Sequence, residues 1–154
     1  MIDSKQIKKA LFGGAFAILS LGIAASAHAQ AVFNHTALCS KDLKKSNEFY
    51  TSVLKLKIVP NPFKDTVHTW YSIAPHIAMH VIQSGCSTTP KVIADHLCFS
   101  VPSVTKFVEM LKSKNIPYCN WKQVPGQIEH RVDGVQQVYI QDPDGYWIEV
   151  NDAK

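Results

Sequence analysis

Charge is scarce in this chain and nowhere concentrated: 16 Lys and Arg against 12 Asp and Glu in 154 residues. Part of the basic surplus is Lys5, Lys8 and Lys9 at the start; without residues 1–29, 13 Lys and Arg face 11 Asp and Glu. No Lys/Arg run with interleaved aromatics remains, which argues against a nucleic-acid role. Cysteine is also sparse. Cys39, Cys86, Cys98 and Cys119 form no C-x-x-C redox motif and no zinc-ribbon spacing. They allow three complete pairings, and the spacing selects none of them; Cys39 and Cys98 fall on faces where they could approach each other or sit beside a metal.

The N-terminus reads as an export signal. A basic start is followed by an apolar run from Ala10 to Ala27, broken only by Gly and Ser, and by the small-x-small site Ala27-His28-Ala29 ahead of Gln30. A membrane anchor is the competing reading. The run's place at the extreme end, its Ala and Gly content and the processing site favour cleavage after Ala29, giving a periplasmic or secreted product with no stable membrane anchor. Residues 30–154 have the size of a single compact core.

Those residues repeat. His35-Thr36-Ala37-Leu38 and His96-Leu97-Cys98-Phe99 each open an apolar strand that leads into a helix, 61 residues apart. In the first half, Ser40 or Asp42 can cap a helix over 43–55 with Leu43, Tyr50, Val53 and Leu54 on one face, and strands follow at 57–59, 67–73 and 77–83. In the second, Ser103 caps a helix carrying Val104, Phe107, Val108 and Leu111, Asn115 ends it, and strands are expected at 117–124, 135–141 and 146–151. The fold class is α+β: two βαβββ modules, about 32–84 and 92–152, folding as one domain because either half alone would be marginal.

Strand alternation puts His35, Ala37 and Cys39 on one face, and likewise His96, Cys98 and Ser100, and Trp147, Glu149 and Asn151. Leu38, Leu97, Phe99, Ile148 and Val150 point the other way, toward helices. A lone strand histidine is more often a packed residue than a ligand. Three ligand-type residues at repeat-equivalent positions on the face away from the helices point instead to a metal site between the halves.

The duplicated βαβββ pattern, the histidine opening each half and the closing Asp142-Pro143-Asp144-Gly145-Tyr146-Trp147-Ile148-Glu149-Val150 resemble the glyoxalase and vicinal-oxygen-chelate superfamily over residues 32–152. The resemblance implies a cupped half-barrel holding a divalent metal on the first and last strands of each module. His35 and His96 match the first-strand histidines, and Glu149 matches the last-strand carboxylate. The fourth place falls in Ile77–Ile82. His80 is the ligand type there, where relatives often carry Glu or Gln, and it lies 45 residues after His35 against 53 from His96 to Glu149.

A nitrogen-rich set with one carboxylate suits Zn, Ni, Mn or Fe(II). With His80 as a ligand the set favours a Lewis-acid site: a lyase or isomerase that polarises adjacent oxygens of a small oxygen-rich molecule and steadies an enediolate, with Glu149 moving the proton. With His35, His96 and Glu149 alone it matches the two-histidine, one-carboxylate pattern of an Fe(II) extradiol-type ring-cleaving dioxygenase. A metal-free drug- or metabolite-binding protein is the third alternative the superfamily offers.

Tyr139 shares a face with Gln137 and Gln141 and is a candidate substrate contact. Arg131, in the polar segment 125–134, could pair with a substrate carboxylate or phosphate across a cavity mouth. His68, His76 and His130, and the three tryptophans, take ordinary structural roles. Export argues against a glutathione-dependent reaction, because an oxidising compartment supplies little reduced thiol. The cup can be closed by the two modules of one chain or by pairing in a homodimer.

Overall fold

The structure, a computed structural model, describes residues 30–154; the expected signal peptide at 1–29 lies outside the described residues. The first module runs β1 (His35–Ser40), α1 (Leu43–Ser52), β2 (Lys57–Val59), β3 (His68–Ala74) and β4 (Ile77–Gln83). The second runs β5 (His96–Ser100), α2 (Val104–Ser113), β6 (Glu129–His130), β7 (Gln136–Gln141) and β8 (Trp147–Asn151). Each module is a four-stranded sheet, in the orders β1-β4-β3-β2 and β5-β8-β7-β6, so the first strand of each lies parallel to the last. The α+β duplication expected from the sequence is present.

Local chemistry sets the helix ends. Asp42 accepts a hydrogen bond from the Lys45 amide and Ser103 one from the Lys106 amide, satisfying donors that the first turn leaves unpaired. Asn115 adopts φ 54° after α2; its N–H donates to the Lys112 carbonyl and that of Ile116 to the Leu111 carbonyl, a Schellman arrangement. Against these helices pack Leu38, Tyr71, Met79 and Val81 in one module and Val138, Ile140, Ile148 and Val150 in the other, all buried. Burying each contributes roughly 1.5–3 kcal/mol.

The Asp142–Tyr146 turn ties the modules together. Asp142 accepts from the Asp144 and Tyr146 amides, which shapes the turn, and its other oxygen accepts 2.7 Å from the Tyr50 hydroxyl of α1. Asp144 accepts from the Lys41 amide, and the Tyr146 hydroxyl from the Cys39 amide.

Two expectations are corrected. The segment 117–124 is not a strand: Pro117 and Pro125 have no amide to donate, Gln123 and Gly126 take positive φ, and only Cys119 bridges to Tyr139. The strand in that place is the short β6, five residues further on. The sequence selected no cysteine pairing, and the structure joins Cys39 to Cys86 while Cys98 and Cys119 remain free thiols. Because β4 runs parallel beside β1, the chain leaving β4 passes Cys39, where the Ser84 amide donates to the Ser40 carbonyl; Cys98 belongs to the other sheet.

Candidate metal centre

Each sheet turns one face to its helix and gathers ligand-type side chains on the other. In the second module His96 opens β5 and Glu149 lies on the neighbouring β8, with their facing atoms, Nε2 and Oε2, 3.3 Å apart. The Ile93 carbonyl lies 2.8 Å from His96 Nδ1. That bond places a proton on Nδ1 and leaves Nε2 facing a carboxylate oxygen. At this distance the two can share a proton as an ion pair, and about 3.0–3.6 Å is also the spacing of two donors on one transition metal.

Glu149 is buried among donors. Oε2 accepts from the Tyr139 hydroxyl at 2.5 Å, and Oε1 accepts from Asn151 Nδ2 at 2.8 Å and from the Cys98 thiol at 3.4 Å. Burial alone would raise its pKa. The bonds from Tyr139, Asn151 and Cys98, with His96 nearby, outweigh that and hold it below the usual glutamate range. The carboxylate is therefore ionised at neutral pH, as ligation requires, though its basicity is reduced. Burial and Glu149 push the Cys98 thiol up to about 11 and raise Tyr139 as well, so both stay protonated as donors.

The first module repeats this arrangement with different residues. His35 Nδ1 lies 2.7 Å from Asn34 Oδ1, an acceptor that places a proton on Nδ1. His80 lies 5.2 Å from His35 between ring centroids, stacked on Trp70 at 4.2 Å. Its position is set by register: His80 is opposite Ala37 in the β1/β4 ladder, as Glu149 is opposite Cys98 in the β5/β8 ladder. Trp70 pairs with His80 as Tyr139 pairs with Glu149. His80 is 7% exposed, and burial, then the charges of His35 and His68, lower its pKa, so it is neutral and able to ligate. Among the described residues His80 Nδ1 and Trp70 Nε1 are buried without hydrogen-bond partners.

The chain thus brings His35 to His80 and His96 to Glu149. Among the described residues no three His, Cys, Asp or Glu side chains gather closely enough to hold a metal ion. Tyr139, expected as a substrate contact, is 2% exposed and serves Glu149 directly. Arg131 sits in the β6–β7 turn, where its guanidinium donates to Asp133 at 2.6 Å, yet its charge is still felt at Cys98. Asn151, which alternation placed on the Glu149 face, donates to that carboxylate; the sequence missed Trp70 as part of the site, and Trp121, whose ring lies 6.5 Å from that of His96.

Residues 32–150 match the Glyoxalase/Bleomycin resistance protein/Dioxygenase superfamily. The chain belongs to this superfamily. It is 30% identical to the lactoylglutathione lyase of Pseudomonas putida over an alignment covering 80% of this chain and 86% of that protein. Among solved structures, oxidase ChaP-H2 superposes with a TM-score of 0.66 at 22% identity, covering 81% of this chain and 95% of that one. A mutant of the fosfomycin resistance protein FosX from Listeria monocytogenes, complexed with Mn(II) and 1S,2S-dihydroxypropylphosphonic acid, does so with a TM-score of 0.62 at 17% identity, covering 81% and 92%. These two likenesses establish the superfamily fold.

Proposed function

We propose that the chain is a metal-dependent lyase or isomerase of the glyoxalase type, acting on a small substrate with adjacent oxygens through enediolate chemistry. His35, His80, His96 and Glu149 would hold the metal, which supplies polarisation of both substrate oxygens and stabilises the charge left when the neighbouring C–H loses its proton. The observation that carries this reading is the register equivalence of the two pairs. It supports His80 as a fourth ligand, and so a Lewis-acid site over the three-ligand pattern of an Fe(II) dioxygenase.

The chain's own residues divide the remaining work. Asn34 and the Ile93 carbonyl hold two imidazoles with Nε2 presented. Glu149 is the carboxylate at which a substrate proton would arrive, and the Tyr139 hydroxyl beside Oε2 fixes its orientation. Since the two pairs sit on separate sheets, we assign closure of the site to a second copy of the chain, a homodimer in which one copy's first-module face meets the other's second-module face.

Export to the periplasm or beyond is part of this proposal, supported by the basic and apolar N-terminus and by the Cys39–Cys86 disulfide, a bond that persists in oxidising compartments. The named activity of the Pseudomonas putida relative is accordingly carried over as a reaction class, not as a glutathione substrate.

Metal analysis of the purified protein, with turnover and oxygen uptake followed after loading with Zn, Ni, Mn or Fe(II), tests the reading. Turnover without oxygen consumption is expected. Oxygen consumption with Fe(II) alone would favour ring cleavage, and no metal uptake would favour a binding protein. Mass spectrometry of the secreted or periplasmic fraction should find a chain beginning at Gln30; a full-length cytoplasmic product would remove the case against glutathione.

A further inference from the structure

Of the three imidazoles assigned to the metal, two are oriented by a hydrogen bond and one is not. Asn34 Oδ1 lies 2.7 Å from His35 Nδ1 and the Ile93 carbonyl 2.8 Å from His96 Nδ1, and each acceptor fixes its ring about the Cβ–Cγ bond. His80 Nδ1 is buried and meets no hydrogen-bond partner among the described residues. Its ring plane is set by other rings instead. Trp70 lies directly opposite in the β3/β4 ladder and stacks on His80 at 4.2 Å. His68, two residues earlier on the same face of β3, is diagonal to His80; the two imidazoles are parallel within 11°, with centroids 5.9 Å apart. Offset-parallel rings at that separation attract.

His68 is itself held. Asp65 Oδ1 and Oδ2 lie 2.9 and 2.8 Å from His68 Nδ1, so that nitrogen carries a proton. The same carboxylate accepts from the Val67 and His68 amides and from Asn61 Nδ2, and the bond to His68 leads in holding it below the ordinary aspartate range. The Phe63 ring adds a contact, 4.9 Å from that of His68. The loop between β2 and β3 thus closes on one imidazole, and that imidazole lies against a ligand.

We propose that Asp65 and His68 are positioning residues of the metal centre: Asp65 locks the His68 ring, and His68, with Trp70, holds the His80 ring in its ligating plane in place of the missing hydrogen bond. The inference rests on the reading of His80 as a ligand and adds the residues that orient it. An imidazole free to rotate loses part of its affinity to the entropy of fixing it when metal binds, and a ring already held does not. The support acts only through His80, so it must vanish where His80 is replaced by a residue without a ring.

Titration of the purified protein with Co(II) tests it, since the visible absorption of that ion reports the arrangement of its donors. His68→Ala should bind Co(II) about tenfold more weakly, with altered visible bands, and His68→Phe, which keeps a ring, should recover most of the affinity. Asp65→Ala should weaken binding in the same direction and add nothing to His68→Ala in the double variant. In His80→Glu, where there is no ring to hold, His68→Ala should change neither affinity nor spectrum. A loss there equal to that in the wild type would overturn the proposal, as would undiminished Co(II) affinity in His68→Ala. Nitrogen NMR of the imidazoles in chelated protein reads the support without the metal: the His80 signal should broaden in His68→Ala and stay sharp in His68→Phe. A protein that takes up no Co(II) but shows this broadening refutes the metal reading and keeps the support; a sharp His80 signal in His68→Ala together with unchanged Co(II) binding refutes the support and leaves the metal reading intact.

Discussion

His80 and Glu149 occupy the same place in two sheets, each on the last strand of its module, opposite the residue two positions after the histidine that opens the first strand. One is an imidazole and the other a carboxylate, so equivalent positions of the two modules carry donor types of different charge. Replacing a carboxylate by a neutral imidazole leaves a divalent metal with more net positive charge, which strengthens its pull on substrate oxygens.

Equivalence predicts equal consequence. His35→Ala, His80→Ala, His96→Ala and Glu149→Ala should each abolish stoichiometric binding of divalent metal, and with it the rise in melting temperature that metal gives the wild type. His80→Glu, with a carboxylate in the same place, should retain the metal. Metal analysis after dialysis, with melting curves with and without chelator, reads both; a His80→Ala protein with full metal content would remove His80 from the site.

Tyr139→Phe removes the leading donor to Glu149 and the acceptor of Gln137 Nε2, which lies 2.9 Å from the hydroxyl. The loss should cost about 1–3 kcal/mol, since buried polar groups are left unpaired. Glu149 would then rise toward the ordinary glutamate range. A proton competes with metal for this carboxylate, so the acid limb of metal binding should move to higher pH; an unshifted limb in a titration of the variant would mean that Tyr139 does not set the Glu149 charge.

The metal-free protein should lose stability in mild acid through His80. Burial, then the charges of His35 and His68, depress its folded pKa. The folded state therefore binds this proton less readily than the unfolded chain does, and its contribution is complete above the ordinary histidine range and lost as pH falls below it. Melting temperatures of chelated wild type and His80→Gln measured from neutral pH downward should converge; parallel curves would show that His80 titrates as it does in the unfolded chain.

Reducing the Cys39–Cys86 bond, or replacing both with Ser, should lower stability by about 2–4 kcal/mol without unfolding the domain, because two helix-backed sheets supply the core. Cys119→Ala should cost far less. Urea melts of the three proteins measure this, and failure of the doubly substituted chain to fold would mark the bond as essential.

The histidines at 35 and 96 were legible because a repeat displays itself at a fixed offset, and Glu149 because alternation along β8 fixes its face. Tyr139 as partner of Glu149 could have been found by counting outward from the Pro143-Asp144-Gly145 turn, which pairs Gln141 with Trp147 and Tyr139 with Glu149. His80 was legible as the ligand type at the fourth place that the family resemblance implies, while the unequal spacing hid its register, which appears only when β1 lies beside β4. The Cys39–Cys86 pairing was hidden for the same reason: parallel neighbours are joined by long crossovers and leave no local signal. Trp121 could not be placed, because its side depends on a single bridge at Cys119 within a segment that reads as a strand.

The central claim is that His35 and His80 of one chain meet His96 and Glu149 of another. Co-expressing differently tagged His35→Ala and Glu149→Ala chains, and purifying the mixed pairs through both tags, tests it most directly. Neither variant alone should hold metal. A mixed pair should, because the intact first module of the Glu149→Ala chain would face the intact second module of the His35→Ala chain and restore one complete site. Mixed pairs as empty of metal as their parents, or wild-type protein that binds metal as a monomer, would contradict the account.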